Sequence, residues 1–231
     1  MPIKTLTAPG DTAGVNLLKS NSNYNTAHDA TAGTNAGNAD NKFTLHAKSG
    51  SNYFLRRGIL IYDFRSTLFS DKISVVKAQL ILNDVSELAP QTGGDKIRIA
   101  WISSPNTFGS FHANDFHKNR YDAATYTSAQ QVDNAADGEV IALDNRRLLK
   151  QLQKAINTKT YLHLVARNEL DYQDTTPTGN NRVWFDRPNA DDAPLQLKIF
   201  YRTLSSRAHS GRGGFSGTDI KTPDGVGFGS I

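Results

Sequence analysis

Residues 53–84 read YFLRRGILIYDFRSTLFSDKISVVKAQLILND, and this stretch decides the fold. It holds two apolar runs, 58–64 and 75–83, each rich in β-branched and aromatic residues. A polar connection with Ser66, Ser70, Asp71 and Ser74 separates them. A period of two places Ile59, Ile61 and Asp63 on one face and Leu60, Tyr62 and Phe64 on the other. In the second run Val76, Ala78, Leu80 and Leu82 alternate with Lys77, Gln79 and Ile81. These are strand signals, and the connection is too short for a helical crossover. The expectation is an antiparallel pair within a β-sandwich.

Working outward, further strands are expected at 15–18, 43–47, 96–102, 140–143, 161–167, 182–186 and 195–201. One helix stands out over 144–157, with Asp144 as N-cap and Leu148, Leu149, Leu152 and Ile156 on one face. The Asn-, Thr- and Gly-rich residues 19–42 carry no periodicity and read as a long polar loop. Residues 203–231 contain seven of the eighteen glycines and cannot bury enough surface to fold alone. Five spaced apolar residues there, Phe215, Ile220, Val226, Phe228 and Ile231, are candidate anchors onto a neighbouring subunit. The chain thus divides into a sandwich domain over 1–202 and an extended arm over 203–231.

Composition narrows the function. With 231 residues and 38% hydrophobic content there is enough apolar material for one large sandwich core. The absence of cysteine excludes disulfides and thiolate metal sites within the chain. Residues 1–11 show no apolar leader-like core, and no run approaches the ~18 apolar residues of a membrane-spanning helix. The net charge of +4 comes from 26 basic and 22 acidic residues scattered along the chain. No basic stripe interleaved with aromatics points to nucleic acid.

The order of the elements resembles the DNRLRE-type domain, a carbohydrate-binding-module-like β-sandwich found in bacterial surface proteins and phage structural proteins. The matching pieces are FTLHA, RRGILIYDF with Arg57, Leu60 and Phe64, KAQLILND, IRIAWIS, GEVIALD with the helix after it, and VWFDRPNADDAPLQLKIFY. The chain departs from that pattern where Phe108, Phe111, Phe116 and Tyr121 replace tryptophans, and at Arg187 in the closing strand. The resemblance implies a jelly-roll-like sandwich. It also implies two roles: structural subunit of a phage-like virion, or recognition of a surface glycan.

No motif for catalysis is present: GxSxG, HExxH and GxxxxGK[ST] are all missing, and the three glutamates, Glu87, Glu139 and Glu169, are scattered. An enzyme is therefore not expected. His112 and His117 flank Asp115 in FHANDFHK, but two histidines on a loop make an incomplete metal set. No cofactor is expected; loop aspartates such as Asp171, Asp174, Asp191 and Asp192 leave room only for a structural Ca²⁺ implied by the resemblance. Most of these aspartates read as turn formers. Trp184, alternating with Val183 and Phe185 in RVWFD, is expected to face outward, as a glycan or protein contact. The aromatics Phe108, Phe111, Phe116, Tyr121 and Tyr126 are expected to pack beneath a loop more than to form a platform. The leading expectation is a virion protein assembling with copies of itself or other particle proteins, with glycan binding as the alternative.

Overall fold

A computed structural model describes residues 1–7, 14–37, 42–66, 69, 72–82, 85–102, 116, 118–132, 138–185 and 195–204. Its strands are β1 (Ile3–Thr7), β2 (Gly14–Asn21), β3 (Asn35–Gly37), β4 (Lys42–Ser49), β5 (Asn52–Asp63), β6 (Ile73–Leu82) and β7 (Val85–Leu88). They continue with β8 (Lys96–Trp101), β9 (Gln130–Gln131), β10 (Glu139–Ala142), β11 (Tyr161–Asn168), β12 (Asn180–Phe185) and β13 (Leu195–Thr203). Four helices intervene: α1 (Tyr24–His28), α2 (Lys118–Asp122), α3 (Arg146–Thr158) and α4 (Glu169–Tyr172).

Among the described residues these strands form two antiparallel sheets. The smaller has the order β1-β13-β6-β10; the larger runs β7-β12-β4-β5-β11-β8-β9, with β2 on β5 and β3 on β2. The chain is an all-β sandwich, wound in jelly-roll fashion with the first and last of the described strands paired side by side.

The two apolar runs that announce the fold do not pair with each other. β5 pairs with β2, β4 and β11, whereas β6 lies between β13 and β10 in the opposite sheet. The connection between them crosses the sandwich, and the two strands meet only through the side chains they send inward. Leu60, Tyr62 and Phe64 from one side join Ala78, Leu80 and Leu82 from the other in a single apolar core. Period-2 reading gives each strand's faces but not its hydrogen-bonded neighbour, and a run apolar enough for a hairpin serves equally for two facing sheets.

One expected alternation breaks. The register of β6 on β13 shifts between Phe200 and Tyr201, so Phe200 opposes Lys77 and Tyr201 opposes Val75. The bulge leaves Val76 and Lys77 both exposed and turns Val75 into the core beyond it.

The helix begins one residue later than the sequence suggests. Asn145, not Asp144, is the N-cap: its side chain accepts from the backbone N–H groups of Arg147 and Leu148 at 2.8 and 3.2 Å. Asp144 accepts instead from the Ser128 hydroxyl. Lys159, in the left-handed region at φ 50°, ends the helix. Leu148, Leu152 and Ala155 plug one end of the main core, with Leu149 and Ile156 at its margin. Gln153 pins the helix to β6, accepting from Val75 N and donating to Ile73 O.

Residues 19–42 are not one long loop. They hold the end of β2, helix α1 and strand β3. Helix α1, capped by Asn23, lies on the outer face of the larger sheet. There Tyr24 and Ala27 join Leu55, Ile59, Ala100, Ile102, Phe116, Tyr121, Tyr126 and Val165 in a second core. Phe116, Tyr121 and Tyr126 are thus packed in a core and form no exposed platform; Phe108 and Phe111 lie outside the described residues. Both faces of β5 are therefore covered, and its residues from Leu55 to Tyr62 form an unbroken buried run.

Candidate functional site

The second core is where the chain buries its charge. Arg57 stands on the outer face of β5, on the same side as Leu55 and Ile59. Arg167 occupies the equivalent side of β11, beside Val165. Two bare guanidinium groups in such a place would be prohibitively costly without a partner. Helix α4 supplies it. Asn168 caps α4 by accepting from Leu170 N, and its own amide donates to Gly94 O at 2.7 Å, fixing where the short helix starts. That places Asp171 directly over both arginines.

Arg57 binds Asp171 in a two-pronged contact, Nε to Oδ2 and Nη2 to Oδ1, both 2.9 Å. Arg167 donates from Nε to the same Oδ2 at 2.9 Å and from Nη2 to the Asp171 carbonyl at 2.8 Å, while its Nη1 reaches Asp122 at 3.1 Å. The Arg57 guanidinium lies over Phe116 and Tyr121, 4.4 and 4.7 Å from the ring centres. Burial pushes the Asp171 carboxyl upward, but the charges of Arg167 and Arg57 and their hydrogen bonds outweigh it and hold the group well below the usual carboxylate range.

His28 of α1 joins the same cluster. Its Nε2 lies 3.1 Å from the Asp171 carbonyl, and its Nδ1 faces Asp29 at 2.8 Å and Asp174 at 3.3 Å. Arg167 Nη2 also approaches Nε2 at 3.4 Å, so the ring is held between α4 and the end of α1. Nearby, His46 is fully buried on β4, and burial pushes its imidazole down to about 4, so it is neutral. At the margin, Arg98 grips Glu169 with two nitrogens and donates to Thr127 O at 3.0 Å. Its guanidinium also lies 4.3 Å from the centre of the Tyr172 ring.

Chemically, this arrangement is a clamp. Both Asp171 oxygens are taken by guanidinium groups, so the residue offers neither a base nor a cation ligand. That removes Asp171 from the aspartates considered for Ca²⁺ and from the turn formers; Asp174, at φ 54°, does sit in a turn. Asp191 and Asp192 lie outside the described residues, as do His112, His117 and His209. Among the described residues no group of three or more His, Asp or Glu side chains is arranged to hold a metal. His163 stacks on Tyr161 with ring centroids 6.4 Å apart and joins no such group.

A second candidate is a surface. The outer face of the smaller sheet has no helix described over it. Since Leu80 and Ile141 pair and point into the main core, their neighbours Ile81 and Val140 point outward. Ile3 opposes Phe200 on the same side. Ile3 is 49%, Val140 45% and Val76 38% exposed, with Ile81 and Phe200 half-buried among them. Of the six exposed large hydrophobic residues among those described, these three stand on the sheet; Met1 and Leu204 sit at the ends of its strands, and only Tyr172 lies elsewhere. Lys77 and Lys198 flank Phe200, their Nζ atoms 5.4 and 5.6 Å from its ring centre.

The backbone of Trp184 runs in β12 between Lys42 of β4 and Ser86 of β7, just past a register shift at Val183. Its side chain lies outside the described residues, and so do Phe215, Ile220, Val226, Phe228 and Ile231. Among the described residues no helix is long and apolar enough to cross a membrane. Neither the buried network nor the bare face was expected from sequence, although Arg57 was noted for its place in the strand pattern. No protein-family model matches the chain, and no curated protein matches it.

Proposed function

We propose that the chain is a non-enzymatic structural subunit of a phage-like virion, a capsid decoration, tail or baseplate component that binds neighbouring subunits. One observation carries this reading: three of the six exposed large hydrophobic residues described stand on a single sheet face, with Ile3, Val76 and Phe200 at one end and Ile81 and Val140 at the other. Exposed apolar side chains on one sheet face, with basic and polar ones such as Lys198 and Gln79 between them, suit a protein contact surface. The buried charge network fits the same role, because it is spent on rigidity: every acidic group at its centre is already paired. The resemblance to sandwich domains of phage structural proteins and the glycine-rich arm point the same way. Sedimentation of the purified full chain across a wide concentration range, with electron microscopy of the largest species, tests it. A defined oligomer, ring or lattice is expected; a monomer at every concentration sinks it.

A second reading, recognition of a surface glycan, is favoured by Tyr172. This residue is 42% exposed and packs against Arg98 and, edge-on, against Tyr126. An aromatic ring held rigidly at the surface beside charged groups suits a sugar ring. Retardation of the protein in polysaccharide gels, lost on Tyr172→Ala or Trp184→Ala, is its signature. Equal mobility with and without each of a panel of polysaccharides removes it.

A further inference from the structure

We infer that the outer face of the smaller sheet is the docking site for residues 215–231 of a second copy of this chain. The inference rests on the assembly reading above and names the partner of that surface.

Three observations converge. The first is where the chain leaves the sandwich. Leu204 follows β13 directly, is itself exposed, and is held to the start of β6 by its N–H donating to Lys72 O at 2.8 Å. The segment therefore departs from the border of the bare face, so each copy carries the face and the segment side by side.

The second is how the segment divides. Residues 205–214, SSRAHSGRGG, hold no large apolar residue and no carboxylate. Residues 215–231, FSGTDIKTPDGVGFGSI, hold all five apolar anchors and both aspartates, Asp219 and Asp224, against one lysine. The first ten residues are a spacer in composition; extended, they span up to about 35 Å, enough to bridge to an adjoining molecule.

The third is charge. The four strands of the smaller sheet contain Lys4, Lys77, Lys198 and Arg202, and a single acid, Glu139. Lys4 opposes Ile199 and Glu139 opposes Leu82, both core residues, so among the described residues of these strands the outward side carries Lys77, Lys198 and Arg202 and no carboxylate. A segment in which apolar residues alternate with Asp219 and Asp224 complements that face in both respects. Anchors on one copy and face on the next give a head-to-tail contact, which generates rings or filaments rather than a closed two-fold dimer.

The test uses the full chain and three sets of substitutions. A face variant, Val76→Glu with Val140→Glu, and a segment variant, Phe215→Ser with Phe228→Ser, are each expected to sediment as monomers where the parent is an oligomer. Mixed in equal amounts they are expected to form a heterodimer and nothing larger, since one intact face meets one intact segment. A charge-reversed face, Lys77→Glu with Lys198→Glu, is expected to weaken association by roughly tenfold or more and to regain it when combined with Asp219→Lys and Asp224→Lys.

Each failure has its own meaning. An oligomer that survives the face substitutions and ignores the charge reversal places the contact elsewhere, overturning the inference while assembly stands. If the two variants stay monomeric when mixed, the contact is not between one copy's segment and another's face, and the inference is again overturned. A parent that is monomeric throughout removes both the inference and the assembly reading.

Discussion

The two sheets of this sandwich treat their outer faces in opposite ways. On the larger sheet the outer face carries arginines and histidines, and it is buried; on the smaller it carries isoleucine, valine and phenylalanine, and it is bare. The usual alternation of apolar inside and polar outside fails on the larger sheet and holds only in part on the smaller, where lysines stand among the apolar residues. What decides is the cover. Helices α1, α2 and α4 lie over the larger sheet and bring Asp171, Asp122 and the aromatic rings that make buried guanidinium groups tolerable. The smaller sheet has no described cover, so its apolar residues remain available to a partner. Identity of a side chain alone does not say which side of the protein it is on.

The sharpest way to break this contrast is to remove the charge at the centre of the cover. Asp171→Asn leaves Arg57 and Arg167 facing each other with no carboxylate between them. Breaking a buried ion pair from one side costs about 3–5 kcal/mol. Urea denaturation is expected to show a loss of that order, or a protein too unstable to purify. The triple variant Arg57→Met, Asp171→Leu, Arg167→Met is expected to be more stable than Asp171→Asn alone, because it removes the whole charge set together. A loss below about 1 kcal/mol for Asp171→Asn means the network does not hold the cover in place.

Acid separates two further contributions. The His46 imidazole is held down to about 4 in the folded protein, whereas an unfolded histidine titrates near ~6.5. Its stabilisation is complete above about 6.5 and falls as the pH drops from there toward about 4, amounting to roughly 3 kcal/mol. Asp171 is also depressed, but from an unfolded value near ~3.9, so its contribution is intact above that value and is lost only as the pH falls further, toward its folded value. Thermal melts from pH 7 to 4 are therefore expected to lose stability through His46. In His46→Leu that slope flattens, while the steeper loss below pH ~4 remains.

Much of this was legible in the sequence, and the part that was not has a physical reason. The strand positions, the sandwich and the one long helix followed from periodicity and capping. The placing of β5 and β6 in opposite sheets did not, because two inward-facing strands present the same alternation whether they lie side by side or opposite. The buried network left one trace. Arg57 shares its face of β5 with Leu55, Ile59 and Ile61, and the other face, Leu60 and Tyr62, is apolar as well. A strand apolar on both faces is covered on both, so an arginine within it implies a buried carboxylate. Asp171, four residues beyond Arg167, was the candidate. Composition alone made it look like a turn former, and only the geometry of α4 shows which arginines it serves.

At the margin of the cover the effect shrinks. Arg98 is partly exposed, and Glu169 keeps a second donor in Gln173 at 2.7 Å. Arg98→Met is expected to cost about 2 kcal/mol, since the Glu169 carboxylate stays buried with fewer partners. A loss as large as that from Asp171→Asn means the margin and the centre form one unit.

The smallest effect is expected on the bare face, and it discriminates most. Val76→Thr with Val140→Thr changes two side chains that stand in solvent on an isolated chain, so at high dilution the unfolding midpoint is expected to match the parent's within about 0.5 kcal/mol. At high concentration the comparison changes. If a second copy covers the face, binding stabilises the folded state by mass action, and the parent's melting temperature rises with protein concentration. The threonine variant, with less apolar surface to offer, is expected to show a shallower rise. A large loss at high dilution has the opposite meaning: these valines are buried within one molecule by its own chain, the smaller sheet is covered like the larger, and the contrast between the two faces disappears.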